Sequence, residues 1–235
     1  ARLSGPEQTA AKAAATDLQI NPETPGLSLH RLDRARDKHF WTARVNRDLR
    51  LVLHRKDGAT LLAYVGHHDD AYRWAERRRI ETHPRTGAMQ IVEIRETIED
   101  VVIQRYVEEA VRKPRLFAGE EDETLLSWGV PEDWLETVRE ATEDTVLDVA
   151  AHLPAEAGEA LLAAATGERP QPAPIAADPY AHPDAARRFR VIGDEAELAA
   201  ALAAPWEKWA VFLHPAQREF VERDFKGPAR VIGAA

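Results

Sequence analysis

Apolar and polar residues alternate through three runs, residues 40–46, 49–56 and 60–67, and a period of two predicts three strands. The connections between them are tight. Arg47-Asp48 joins the first pair, and Asp57-Gly58 joins the second with a strong hairpin signal, because both positions of such a turn take left-handed backbone. An antiparallel meander is expected. Ahead of it, Ser4-Gly5-Pro6-Glu7 has the form of a capping box with proline in the first turn, and the alanine-rich run to about Leu18 favours a helix. Asn21-Pro22 and Pro25-Gly26 then break the chain. Behind the meander, residues 70–80 read as a helix with Asp69 or Asp70 as its N-cap, and residues 89–95 as a β-rich run without an assigned partner.

The period changes to that of helices between residues 122 and 167. Gly129-Val130-Pro131, Thr142 and Pro154 divide this stretch into short helices, with Leu125, Leu126, Trp134, Leu135, Val138, Val146, Leu147, Leu153, Leu161 and Leu162 as the apolar stripe. Five prolines between residues 169 and 183 then predict an extended linker with no core of its own. Residues 190–192 read as a short strand and residues 194–202 as a helix.

Composition narrows the class. No apolar run reaches the roughly 18 residues of a membrane span, no leader pattern is seen at Ala1, and the chain has no cysteine, which removes disulfides and thiolate zinc sites. A cytoplasmic protein with no membrane partner is expected. The formal net charge of −9 is unevenly spread: residues 30–85 carry 14 Lys/Arg against 8 Asp/Glu, whereas residues 86–200 carry 10 against 25. Screening confines surface charge to about 8–10 Å at physiological salt, so the basic stretch can present a phosphate-binding face beside an acidic neighbour.

The last residues add a motif. Leu213, Pro215, Gln217 and Arg218 lie on a helix candidate, followed by a turn at Lys226-Gly227-Pro228, a strand candidate at residues 229–232 and Gly233. This order resembles the segment before the phosphate loop of UvrD/Rep-type superfamily I DNA helicases. The resemblance implies that Gln217 reads adenine through its paired amide donor and acceptor, with Arg218 and Gly233 completing the nucleotide-binding set. A phosphate loop also needs a lysine and a hydroxyl for Mg²⁺, and Ala234 and Ala235 supply neither. These residues alone are therefore not expected to hydrolyse ATP; ATP and Mg²⁺ are expected for a full-length bacterial helicase of the DNA-repair type, and no cofactor for this stretch.

Residues 5–80 resemble the RelE/ParE toxin superfamily. The resemblance rests on Phe40-Trp41-Thr42-Ala43-Arg44-Val45, on Leu49-Arg50-Leu51-Val52-Leu53 and on the run from Val65 through His67, His68, Asp69 and Asp70 to Tyr72. That family begins with an additional strand and helix, which are not evident ahead of Ser4. In its ribosome-dependent nucleases, mRNA is cleaved by basic and aromatic groups on the sheet. By resemblance Arg50 stabilises the phosphate, Arg44 is a second basic group, His67 or His68 moves a proton, and Tyr72 stacks on a base. Two departures weigh against cleavage: Thr42 stands where the nucleases carry a lysine, and Asp69 and Asp70 place anions beside the acid. His67, His68, Asp69 and Asp70 are not expected to bind metal, since adjacent residues at a strand end point different ways. Arg73 and Arg77 could extend a phosphate-tracking surface or form a solvated helix face. All six tryptophans are expected to pack rather than to stack on bases.

The expected class is α+β. A RelE-like helix and antiparallel sheet fill residues 1–85, a connecting segment 86–118, an acidic helical module 119–168, a proline-rich linker 169–184, and the start of a P-loop helicase domain 185–235. The function read from this layout is an accessory or regulatory region of an ATP-dependent UvrD-like helicase that binds DNA, RNA or a partner. The alternatives are a RelE-like mRNA endoribonuclease and a protein-interaction module acting through its acidic segment.

Overall fold

The structure is a computed structural model that describes residues 3–94 and 113–206. The N-terminal helix α1 (Gly5–Ile20) begins where the capping box places it: the Ser4 N–H donates to Glu7 Oε2 at 2.7 Å. A four-stranded antiparallel sheet follows, in the order β1 (His30–Arg31), β2 (Phe40–Arg44), β3 (Leu49–Lys56), β4 (Ala59–His67). Asp57 and Gly58 both take positive φ, 52° and 81°, the geometry that lets a two-residue turn follow the strand twist.

Alternation along the strands sorts their side chains onto two faces. Trp41, Ala43, Leu51 and Leu53 pack against Ala14, Ala15 and Leu18 of α1. On the other face Phe40 and Val52 lie beneath α2 (His68–Glu76), which buries Ala71 and Ala75 against them. The small alanines let the helix backbone approach the sheet.

Helix α2 stops at Glu76 rather than Ile80. Residues Arg78–Thr82 form β5, paired antiparallel with β6 (Met89–Glu93), and this supplies the partner the sequence left open. The ladder wins because Ile80 is buried there and Arg78 pairs with Glu93 directly across it. Neither Asp69 nor Asp70 is the N-cap. His67 holds that position without a side-chain cap bond, and the two acids sit in the first turn, where the helix dipole favours them.

The acidic region forms the expected short helices, α3 (Asp122–Ser127), α4 (Leu135–Glu140), α5 (Val146–His152) and α6 (Ala155–Ala165). Leu125, Trp128, Trp134, Val138 and Leu161 make its core, which Val92 of β6 joins. Trp134 is anchored to the hairpin by its Nε1–H, which donates to the Glu93 carbonyl at 3.0 Å. Leu147 departs from the stripe: it is 66% exposed on the solvent side of α5.

The proline-rich stretch is extended, yet it is tied down along its length. Ala173 N–H donates to Ser127 O at 2.9 Å, Ala176 N–H to Thr86 O at 3.1 Å, and Met89 N–H to Pro179 O at 3.0 Å. Gly87 accommodates the crossing: its φ is 74°, and a Cβ there would meet the Ala176 carbonyl oxygen at 2.6 Å. The strap then delivers Ala185 and Phe189 into the core beneath α2, so residues 185–189 pack with the first unit. Residues 190–192 form no ladder, and Val191 is exposed. Helix α7 (Glu195–Ala203) is capped by Asp194, whose Oδ1 accepts from Glu197 N–H at 2.7 Å. Leu202 of α7 packs with the α1 core.

Gln217, Arg218, Gly233, Trp209 and the strand expected at residues 229–232 lie outside the described residues. Among those described, no helix is long and apolar enough to cross a membrane.

Candidate functional site

Arg44 and Arg50 are cross-strand partners in the β2–β3 ladder, and Arg50 faces Gly66 on β4. This register gathers them at one end of the sheet. Both guanidinium groups turn back onto the β2–β3 turn: Arg44 Nε donates to Asn46 O at 3.2 Å, and one Arg50 nitrogen donates to Asn46 O and Leu49 O, each at 2.9 Å. The turn is held from its own side as well, since Asn46 Oδ1 accepts from the N–H groups of Asp48 and Leu49. A carbonyl is a dipole and not a charge. Among the described residues, the two arginines are thus oriented by carbonyls and meet no carboxylate partner.

His68 and Tyr72 stand at the same end. His68 N–H donates to Asp48 O at 2.7 Å, which fixes the start of α2 beside the turn that the arginines hold. One helical turn along, Tyr72 stacks on the His68 ring with centroids 4.4 Å apart. His68 Nδ1 donates to Asp69 Oδ1 at 2.9 Å, and that bond, with the charge of His68, holds the Asp69 carboxyl below its usual range. His67 turns away to Glu7, 3.5 Å distant.

His30 joins this group, and no sequence signal pointed to it. Its Nδ1 lies 2.8 Å from the Ser28 carbonyl and must donate there; its Nε2 then accepts the Tyr72 hydroxyl proton at 3.0 Å. A path of contacts, His30–Tyr72–His68, therefore crosses the top of the sheet. What places His30 there is β1 pairing with β2, His30 opposite Thr42, and a two-residue strand is too short to leave a sequence period. Thr42 itself is fully buried and its hydroxyl has no partner. A charged side chain at this position would be desolvated, so the position cannot supply the nuclease lysine.

Arg73 approaches Asp70 at 3.6 Å, both more than half exposed, and Arg77 is exposed at the C-terminal end of α2. The two therefore lie on the solvent side of the helix that covers the sheet. Trp41 and Trp74 are committed to packing: Trp41 lies under the Arg55 guanidinium, and Trp74 stacks on Tyr64 at 5.1 Å and meets Phe40 edge-on.

A different group of titratable residues occupies the opposite end of β3. Asp37, between β1 and β2, has 7% of its side chain exposed and accepts four N–H bonds. Oδ1 takes His39 N–H and His39 Nδ1, both at 3.0 Å; Oδ2 takes His54 Nε2 at 3.1 Å and Ile80 N–H at 3.0 Å. Burial pushes this carboxyl up, but the bonds from His54, Ile80 and His39 outweigh it and hold it well below the usual carboxylate range.

Comparison with protein-family models, with curated proteins and with solved structures finds no match to this chain.

Proposed function

We propose that the chain binds the backbone of a nucleic acid through the end of the sheet that carries Arg44, Arg50, His68 and Tyr72, as an accessory region of an ATP-dependent UvrD-like helicase. One observation carries the binding reading: among the described residues, Arg44 and Arg50 are oriented by carbonyl oxygens and not by carboxylates. Such groups keep their full charge for a phosphate, and beside them the exposed His68 ring, stacked on the half-buried Tyr72, offers an aromatic platform for a base. The helicase part rests on the Gln217–Gly233 pattern alone.

The test is fluorescence anisotropy of labelled single-stranded DNA and RNA with the full chain across a salt series. Binding is expected to weaken with salt, and Arg44→Ala and Arg50→Ala should each flatten the log–log slope by about 0.7, the loss of one phosphate contact on a single strand. Absence of binding at low salt overturns the reading. Endoribonuclease activity is the second reading, favoured by the bond that His68 Nδ1–H donates to Asp69, which orients the His68 ring. Cleavage of ribosome-bound mRNA that is lost in Tyr72→Phe and His68→Ala would establish it, and intact mRNA would remove it.

A further inference from the structure

We propose that Asp37, His39 and His54 form a binding site for a divalent transition-metal ion of the zinc class, separate from the nucleic-acid end of the sheet. The three side chains offer one carboxylate oxygen and two imidazole nitrogens, and these atoms all lie within 4.8 Å of one another. A tetrahedral ion bound at about 2.0–2.2 Å spaces its ligand atoms about 3.4 Å apart. His39 Nδ1 lies 3.0 Å from Oδ1 and His54 Nε2 lies 3.1 Å from Oδ2, so both rings already abut the carboxylate, one at each oxygen. His39 is 48% exposed and has room to turn so that the widest pair closes.

The surroundings have the rigidity a metal site requires. Two of the four N–H groups on Asp37 are backbone amides, from His39 and from Ile80 on β5, and they remain in place when an ion binds. The backbone of His39 is fixed in turn, its carbonyl accepting Arg55 N–H at 2.9 Å, and His54 is held within the β3 ladder at 4% exposure. Only the two imidazole protons facing Asp37 are displaced. A neutral ring accomplishes this by carrying its proton on the other nitrogen, so the Asp37···H–N bonds give way to bonds from an Asp37 oxygen and each nitrogen to the ion once the exposed His39 ring has turned.

Two nitrogens and one oxygen leave a coordination position open. Asp37 and His39 line a cleft of about 1110 Å³ together with Arg79, Glu81 and Asp133, through which water or a small ligand can reach the open position. With no cysteine in the chain, this nitrogen-and-oxygen set suits Zn²⁺, and Co²⁺ reports on it.

Titration of the full chain with Co²⁺ should show one equivalent bound, with the visible absorption of a four-coordinate ion, which Zn²⁺ then displaces. His39→Ala, an exposed change that leaves the Asp37–His54 and Asp37–Ile80 bonds in place, should weaken binding at least tenfold. Changing a histidine–carboxylate pair elsewhere by His152→Gln, which removes the 2.9 Å contact of His152 Nδ1 with Glu93 Oε2, should leave it as it was. The proposal is overturned if no stoichiometric Co²⁺ binds, if His39→Ala binds like the parent chain, or if His152→Gln abolishes binding. Anisotropy with DNA in the absence of metal separates this outcome from any failure of the nucleic-acid site.

Discussion

Arg50 and Arg188 are both partly buried guanidinium groups, and they are held in opposite ways. Arg50 donates to the carbonyls of a turn within four residues of itself, and Arg31, Lys38 and Arg44 likewise donate to carbonyls. Arg188 grips the Glu156 carboxylate with two nitrogens, and Arg79, Arg85, Arg139 and Arg187 face Asp133, Glu123, Asp122 and Glu159. The carboxylate pairs mostly span long stretches of chain, joining hairpin to helical unit and strap to α6. In one region positive charge serves as glue and is cancelled; in the other it is positioned locally and remains available to a ligand.

The sharpest way to break this contrast is Arg188→Met. Glu156 has 8% of its side chain exposed, and without Arg188 it keeps its own backbone N–H and Gln90 Nε2, at 3.1 Å, as donors. Stranding that carboxylate should cost about 3–5 kcal/mol in urea unfolding, the range for breaking a buried pair. A loss below about 1 kcal/mol would mean that the pairs of the helical unit are ornamental and the comparison fails.

The same pair sets an acid limit. Burial pushes Glu156 up, but Arg188 outweighs it and the carboxyl titrates below the ordinary glutamate value of 4.5 in the folded chain. The unfolded chain therefore takes up this proton first as pH falls, so the contribution of Glu156 is complete above about pH 4.5 and disappears through the lower folded value. Glu156→Gln should accordingly be less stable than the parent at pH 7, by about 1–3 kcal/mol for a weakened charged hydrogen bond, and the gap should narrow as the pH falls below about 4.5. Glu93 is lowered too, chiefly by the His152 bond, but it is present in both proteins and cancels from the difference. A gap unchanged between pH 7 and pH 3 would assign the stability to packing instead of charge.

How much of this was legible depended on how locally each feature is specified. The meander was, because Asp57-Gly58 dictates its turn and alternation dictates its faces. The pairing of Arg44 with Arg50 was not: a two-residue turn at Arg47-Asp48 counts Arg50 opposite Val45, and the three-residue loop at 46–48 shifts that register by one. Strand β5 was not: Arg77-Arg78-Arg79 continues a helical pattern smoothly, and only the distant β6 converts it into a ladder. The Asp37 group left no trace either, for His54 lies 17 positions away and the Ile80 amide 43, with no spacing motif to join them. The strap looked like a linker because prolines forbid regular structure, while its anchors are single hydrogen bonds to Ser127 and Thr86 that no local pattern records.

The smallest effect tests the boundary of the contrast. Arg73 of α2 lies close to a carboxylate, Asp70, but at 3.6 Å with both groups more than half exposed the pair is weak. Asp70→Asn removes it and also removes an acid from the first turn of the helix, where the dipole favours negative charge. Both losses destabilise, together by about 0.5 kcal/mol. Nucleic-acid binding should move the other way: an anion 4 Å from a phosphate-binding cation costs about 1 kcal/mol in water, so its removal should tighten binding by up to about fivefold at low salt. Opposite signs in urea unfolding and in anisotropy would place Arg73 with the available cations of the sheet unit. Weaker binding in Asp70→Asn would instead show that the acid orients Arg73 for its ligand, as the turn carbonyls orient Arg50.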